Sequence, residues 1–259
     1  MEPVSVLGAV SSLTLIALAV AISLRMRLGI ERSILWAALR AAVQLLAVGA
    51  VFRLIFESAQ APLYSGLWVV GMIVVAAFVV DRRAHGIPDL WRSALFSIAA
   101  SAGVALAVVF GFGIIEASPV NVVVVAGITI GNTMPATVLA VNRAMAYFTD
   151  DPGRVETLLA LGFDRRQVSR FVAPLTAKTA LIPQIERTKV VGLIALPGAM
   201  TGLLLAGVEP VDAVVIQLIV MYLILGAVSL SVAVVTTATV TSAFSAGLRI
   251  PEWARSGTA

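Results

Sequence analysis

Two stretches of this chain set side-chain oxygens, thioethers and helix-breaking prolines together inside otherwise apolar runs. In "GITIGNTMPAT" (residues 127–137), Pro135 has no N–H to give the carbonyl of Gly131, so that carbonyl needs another partner. Asn132 and Thr133 add oxygens beside it and Met134 a thioether. "IALPGAMTG" (residues 194–202) repeats the device: Pro197 frees the carbonyl of Leu193, and Met200 and Thr201 lie close by. Gln217 sits in a third apolar run. Arg40 and Gln44, four residues apart and so on one helical face, sit in a fourth. Freed carbonyls survive in lipid only where buried in protein or wetted, so interrupted helices of this kind mark transport routes. Ionisable groups inside a span default to a functional hypothesis.

Other readings stay open at each position. Arg40 could snorkel to the surface or tie helices together. Gly127/Gly131 and Gly198/Gly202 form two G-x-x-x-G pairs that would let helices approach closely. The ligand chemistry is thin. There is no cysteine, His85 is the only histidine, and no Asp or Glu lies deep in an apolar run. Thiolate and multi-histidine metal sites are excluded, and no set of catalytic groups emerges. Oxygens and thioethers of this kind would pass a metal weakly or carry a chelated one. The metal site, if any, is unassigned.

The elements that must hold these residues are membrane spans. The 259 residues are 60% hydrophobic and 12% charged, against about 45–50% and about 25% in a soluble domain. The expected fold is all-α and polytopic, one transmembrane domain over residues 1–259 in a lipid bilayer. Seven apolar runs reach or approach the length of a span: residues 4–24, 33–56, 63–80, 93–115, 119–145, 188–207 and 213–244. Sixteen of the eighteen Lys and Arg fall in alternate connections. The positive-inside rule then sets the N-terminus outside and the C-terminus in the cytoplasm. The basic balance is explained by topology, so no nucleic-acid partner is expected. The expected location is the plasma membrane, multi-pass, and in a bacterium the inner membrane.

One connection, residues 146–187, is long and charged. Asp151 and Pro152 read as an N-cap and first helical residue. Val155, Leu158, Leu159 and Gly162 recur at helical spacing, and Gly162 is a plausible stop. Asp164 with Gln167 resembles a capping box opening a second short helix with Val168, Phe171, Val172 and Leu175 apolar. The apolar face could lie on the chain's own spans, on the membrane surface or in a partner's groove. Glu186, beside Arg187 and Lys189, could meet substrate or form a surface ion pair. His85 is expected in a solvated loop.

Glu156, Gly162, Val172 and Pro174 loosely follow the Glu-Ala-Ala…Gly loop of ATP-binding-cassette (ABC) importer permeases, with Thr157 and Leu158 replacing the alanines. A closer resemblance covers nearly the whole chain. "RAAVQLLAVG" (40–49), "GNTMPA" (131–136), "PQIERTKVVGLIALPGAMTG" (183–202) and "EPVDAVVIQLIVMY" (209–222) look like the FetB-type family of permeases, linked to iron export in bacteria and aluminium tolerance in plants. The resemblance implies a permease subunit, acting as a homodimer with a separate ABC ATPase that binds ATP and Mg2+. It implies, less directly, export of iron or another metal species. It also implies a coupling loop that meets the ATPase through Glu156, Leu158, Leu159, Gly162, Phe163 and Arg166. The chain has no G-x-x-x-x-G-K-[ST] phosphate loop, so an ATP-driven reaction needs a second polypeptide. The alternative is an ATPase-independent secondary transporter or channel; the absence of a deep carboxylate counts against proton coupling.

Overall fold

A computed structural model describes residues 11–84, 87, 89–150 and 152–243. His85 and Asp151 lie outside the described residues. The chain divides into two compact units, Met1–Ala61 and Pro62–Ala259. All regular structure among the described residues is helical, apart from one isolated bridge between Val191 and Ala195.

The first unit is a helical hairpin of α1 (Leu13–Met26) and α2 (Glu31–Phe56). The turn is closed by the Leu28 N–H donating to the Ser23 carbonyl and the Arg27 N–H to Leu24, with Arg27 left-handed at φ 53°. Ser23 Oγ donates to Glu31 Oε1 at 2.8 Å and ties the two helices. Arg40 and Gln44 lie on α2 and are exposed.

The second unit contains α3 (Ala61–Arg83), α4 (Leu90–Gly111), α5 (Pro119–Asp150), α6 (Pro152–Ala160), α7 (Arg165–Lys189), α8 (Gly198–Leu205) and α9 (Pro210–Ser242). Five helices, α2, α3, α4, α5 and α9, are long and apolar enough to cross a membrane. Large apolar side chains such as Phe96, Val104, Leu205 and Tyr222 point outward. Those groups would be costly in water and are at no disadvantage in lipid.

Three expectations about the elements change. Residues 188–207 are not one span: α7 ends at Lys189, residues 190–197 form an apolar turn, and α8 is only eight residues long. The second helix of the charged segment is not short. It is the 25-residue α7, which runs through Pro174 and Pro183 and packs along α5 and α9. Finally, α5 is 32 residues, about 48 Å at 1.5 Å per residue. It is therefore longer than a ~30 Å hydrocarbon core requires.

The packing follows membrane logic. On α4, Ala94, Ser97, Ile98, Ser101, Ala102 and Ala105 form a buried stripe of mostly small residues, which lets α5 and α9 approach. The Ser97 and Ser101 hydroxyls donate back to the carbonyls of Ala94 and Ile98 and leave no orphan. Between α5 and α9, the hydroxyls of Thr137 and Ser231 meet at 2.9 Å in the buried interior. The glycine pairs do not act as expected. A Cβ added at Gly127, Gly131, Gly198 or Gly202 would meet nothing within 4 Å, so within this chain they are not points of close helix contact.

The expected capping box is present. The Gln167 N–H donates to Asp164 Oδ1 at 2.8 Å, and the Asp164 N–H donates to Gln167 Oε1 at 2.7 Å. Asp164→Ala should lower stability by about 1 kcal/mol and Asp164→Asn by much less; thermal unfolding of the purified protein in detergent measures both.

Candidate functional site

A cavity of about 320 Å3 opens where α5, α7, α8 and α9 meet. Every element around it belongs to the second unit. From α5 come Ile128 and Asn132, from α7 Gln184 and Arg187, from the α8 start Pro197, Gly198 and Ala199, and from α9 Gln217, Val220, Met221 and Ile224. Asn132 is thirteen residues into α5, and Gln217 and Ile224 are seven and fourteen residues into α9. The cavity therefore lies ~10–20 Å along both helices from the same end of the bundle, well inside the apolar part.

The broken segment makes this site. Pro197 is extended (φ −65°, ψ 146°) and is the N-cap of α8. The interruption expected at Pro197 is present, but as the start of a new helix and not as a gap within a continuous one. The first amides of a helix have no intrahelical partner. Here the Met200 N–H donates to Gln217 Oε1 at 3.2 Å. Those of Gly198 and Ala199 have no partner among the described residues. Gln217 is only 4% exposed, and its amide nitrogen is likewise without a protein partner among them. Asn132 Nδ2 donates to the Ile128 carbonyl at 2.8 Å, which fixes its rotamer. Gln184 and Arg187, three residues apart, share one face of α7. Arg187 has no ion-pair partner among the described residues.

Of the residues singled out in the sequence, the fold brings Asn132, Pro197 and Gln217 together around this cavity. Met200 and Thr201 stand beside it on α8; the Met200 amide is bonded to Gln217, and the Thr201 hydroxyl donates to the Pro197 carbonyl at 3.1 Å. Thr133 is fully buried and donates to the Thr129 carbonyl. Met134 packs among α3 and α4 residues such as Val69, Ile98 and Ala102, and Pro135 is exposed. Arg40 and Gln44 belong to the first unit. Sequence reasoning counted Arg187 as a loop charge and missed Gln184. The available signal was the Gln184, Arg187, Val191 spacing of i, i+3 and i+7. Glu186, its neighbour in sequence, instead forms an exposed pair with Lys189 Nζ at 2.7 Å. No cluster of three or more His, Cys, Asp or Glu side chains able to hold a metal occurs among the described residues.

A second feature lies further along the same helices. Val155 of α6 is fully buried with Ala144 and Phe148 of α5, Val168 and Val172 of α7 and Val240 of α9, while Leu158 and Leu159 pack on this cluster. The apolar face of the charged segment thus rests on the chain's own helices. The helix closes in a Schellman motif: the Gly162 N–H donates to Leu159 and the Phe163 N–H to Leu158, with Gly162 at φ 86°. That turn leaves Glu156, Gly162, Phe163 and Arg166 exposed, together with Leu161. The helices holding α6 also line the cavity. Ala144 and Asn132 on α5, and Val172 and Gln184 on α7, are twelve residues apart, so ~18 Å of helix joins the two features.

The profile of an uncharacterised protein family, UPF0014, matches residues 6–244. UPF0014 membrane protein STAR2 of Oryza sativa subsp. japonica is 36% identical over 228 residues, 88% of this chain and 80% of the relative. The probable iron export permease protein FetB of Escherichia coli K12 is 35% identical over 220 residues, 85% of each chain. Protein ALUMINUM SENSITIVE 3 of Arabidopsis thaliana is 29% identical over 225 residues, 85% of this chain and 81% of the relative. No solved structure matches.

Proposed function

Because the chain belongs to the UPF0014 family of multi-pass membrane proteins, with an iron export permease among its relatives, we propose that it is the membrane subunit of an ABC transporter. In this reading it exports iron or another metal species, driven by a separate ATPase that binds ATP and Mg2+. The carrying observation is mechanical: α6 and its exposed Gly162 turn are anchored by Val155 to α5, α7 and α9, the helices that also line the cavity. Force applied at that turn reaches the cavity through packed helices, without passing through a flexible loop.

The chain sits in the plasma membrane with its N-terminus outside and the α6 turn in the cytoplasm, as the distribution of basic residues favours. The sixth crossing is then the broken one, in which the end of α7, residues 190–197 and α8 share the depth of the bilayer. Arg187 lies inside the membrane at this break, where an ionisable group is costly unless it has a task. Two copies complete the route in this reading, each over one ATPase.

The test is co-expression with a candidate ABC ATPase and reconstitution of the purified pair in liposomes. Iron flux should require ATP, and Glu156→Lys should cut both ATPase co-purification and flux at least tenfold. Flux by the permease alone, at the same rate without ATP, would point to a secondary transporter or channel and end this reading.

A further inference from the structure

We infer that the cavity between α5, α7, α8 and α9 recognises a small, negatively charged, oxygen-rich solute, a carboxylate or phosphate species, so that any metal crossing here travels inside an anionic chelate and not as a bare cation. The inference rests on the cavity being the transport route, as proposed above, and adds what the route selects.

The lining is one-sided in charge. Arg187, exposed and with no ion-pair partner among the described residues, is the one charged residue in the lining. None of the lining residues carries a carboxylate, imidazole or thiolate. The nearest carboxylate in sequence, Glu186, is already held by Lys189. A bare divalent or trivalent cation needs several anionic or strongly basic ligands to replace its water. Here it would find only neutral ligands, the amide oxygens of Asn132, Gln184 and Gln217 and the Met221 thioether, with the Gln217 oxygen committed to Met200, beside a fixed positive charge. Unpaired hydrogen-bond donors, in contrast, gather at the start of α8. The Gln217 side chain is more than nine-tenths buried, lines the cavity, and keeps its amide nitrogen free of protein partners. The amides of Gly198 and Ala199 are unpaired at the positive end of α8. Arginine is the side chain suited to bidentate capture of carboxylate or phosphate. At about 320 Å3 the space matches the low end of small-molecule sites, ~300–1,000 Å3.

The experiment measures binding to the purified full chain in nanodiscs, with citrate, ferric citrate, inorganic pyrophosphate and anaerobic ferrous chloride as separate probes. At least one of the three anionic probes should bind, and ferrous chloride should not. Ferric citrate alone would identify a chelate, citrate alone a free carboxylate, and pyrophosphate a phosphate species. Arg187→Gln should weaken the anion at least tenfold, and Arg187→Lys, which keeps the charge and loses only the bidentate fork, should weaken it clearly less, which separates loss of charge from loss of fold. Lys178→Gln removes an exposed charge from the same helix away from the cavity and should change nothing. Binding of ferrous ion unaffected by Arg187→Gln, absence of binding for all three anions, or equal weakening by Arg187→Gln and Lys178→Gln would each overturn the inference. ATP-driven flux that ignores Arg187→Gln would overturn it while leaving the permease reading intact. Anion binding by a chain that couples to no ATPase would overturn the permease reading alone.

Discussion

Gln217→Glu is expected to keep the fold and abolish transport. Gln217 Oε1 accepts the Met200 N–H at the start of α8. A glutamate carboxylate accepts the same bond as a charge-assisted one, at the helix end that favours negative charge. Melting in detergent should therefore match or exceed that of the parent. The cavity, however, would now hold a carboxylate opposite Arg187. A singly charged anion about 6 Å from it meets ~3 kcal/mol of repulsion at an effective dielectric near 20, roughly a hundredfold in binding. A bare cation would gain by a similar factor. The sign of the change thus reads out the charge of the solute, and unchanged flux would remove Gln217 and this cavity from the route.

The second large effect separates the two faces of α6. Val155 is fully buried between α5, α7 and α9, so Val155→Asp places an unpaired carboxylate among Phe148, Val168 and Val172. An uncompensated buried charge costs about 3–5 kcal/mol, more than a nine-residue helix gains from its own propensity. The helix should lift off, and limited proteolysis should cut within residues 152–164, where the parent resists. Phe163 is 38% exposed at the Schellman turn. Phe163→Asp should leave melting within about 0.5 kcal/mol but, in the proposed ATPase interface, remove an apolar contact of about 2 kcal/mol, some thirtyfold in affinity. The readouts are co-purification of the ATPase and ATP-driven flux. Undiminished coupling in Phe163→Asp would take the turn out of the interface.

Much of this architecture was readable in one dimension because its causes are local. Long apolar runs predict α2, α3, α4, α5 and α9 wherever they pack, since a helix in lipid satisfies its own backbone. Asp164, Gln167 and Gly162 predict their caps for the same reason: the hydrogen bonds involved span only a few residues. Asn132 and Gln217 stood out as polar groups in apolar runs and Pro197 as a helix breaker, and the three do meet. The misreadings share another cause. Residues 188–207 have the hydropathy of a span, and composition does not register that Gly192 is left-handed at φ 86° and that Pro197 opens a new helix. The glycine pairs matched a packing motif, but among the described residues of this chain no neighbour comes within 4 Å of a Cβ placed at any of the four.

By itself, then, the amino-acid order determined the solvent, the five long apolar helices and the Asp164 and Gly162 caps, which depend on composition and on residues within a turn or two of one another. Only the tertiary structure decided which face of α6 is buried, because Val155 finds its partners seven to eighty-eight residues away. It alone moved Arg187 from a loop charge to the wall of a cavity. That move depends on where the chain breaks between α7 and α8, and on α5 and α9 closing the opposite side. No periodicity along a single helix carries that information.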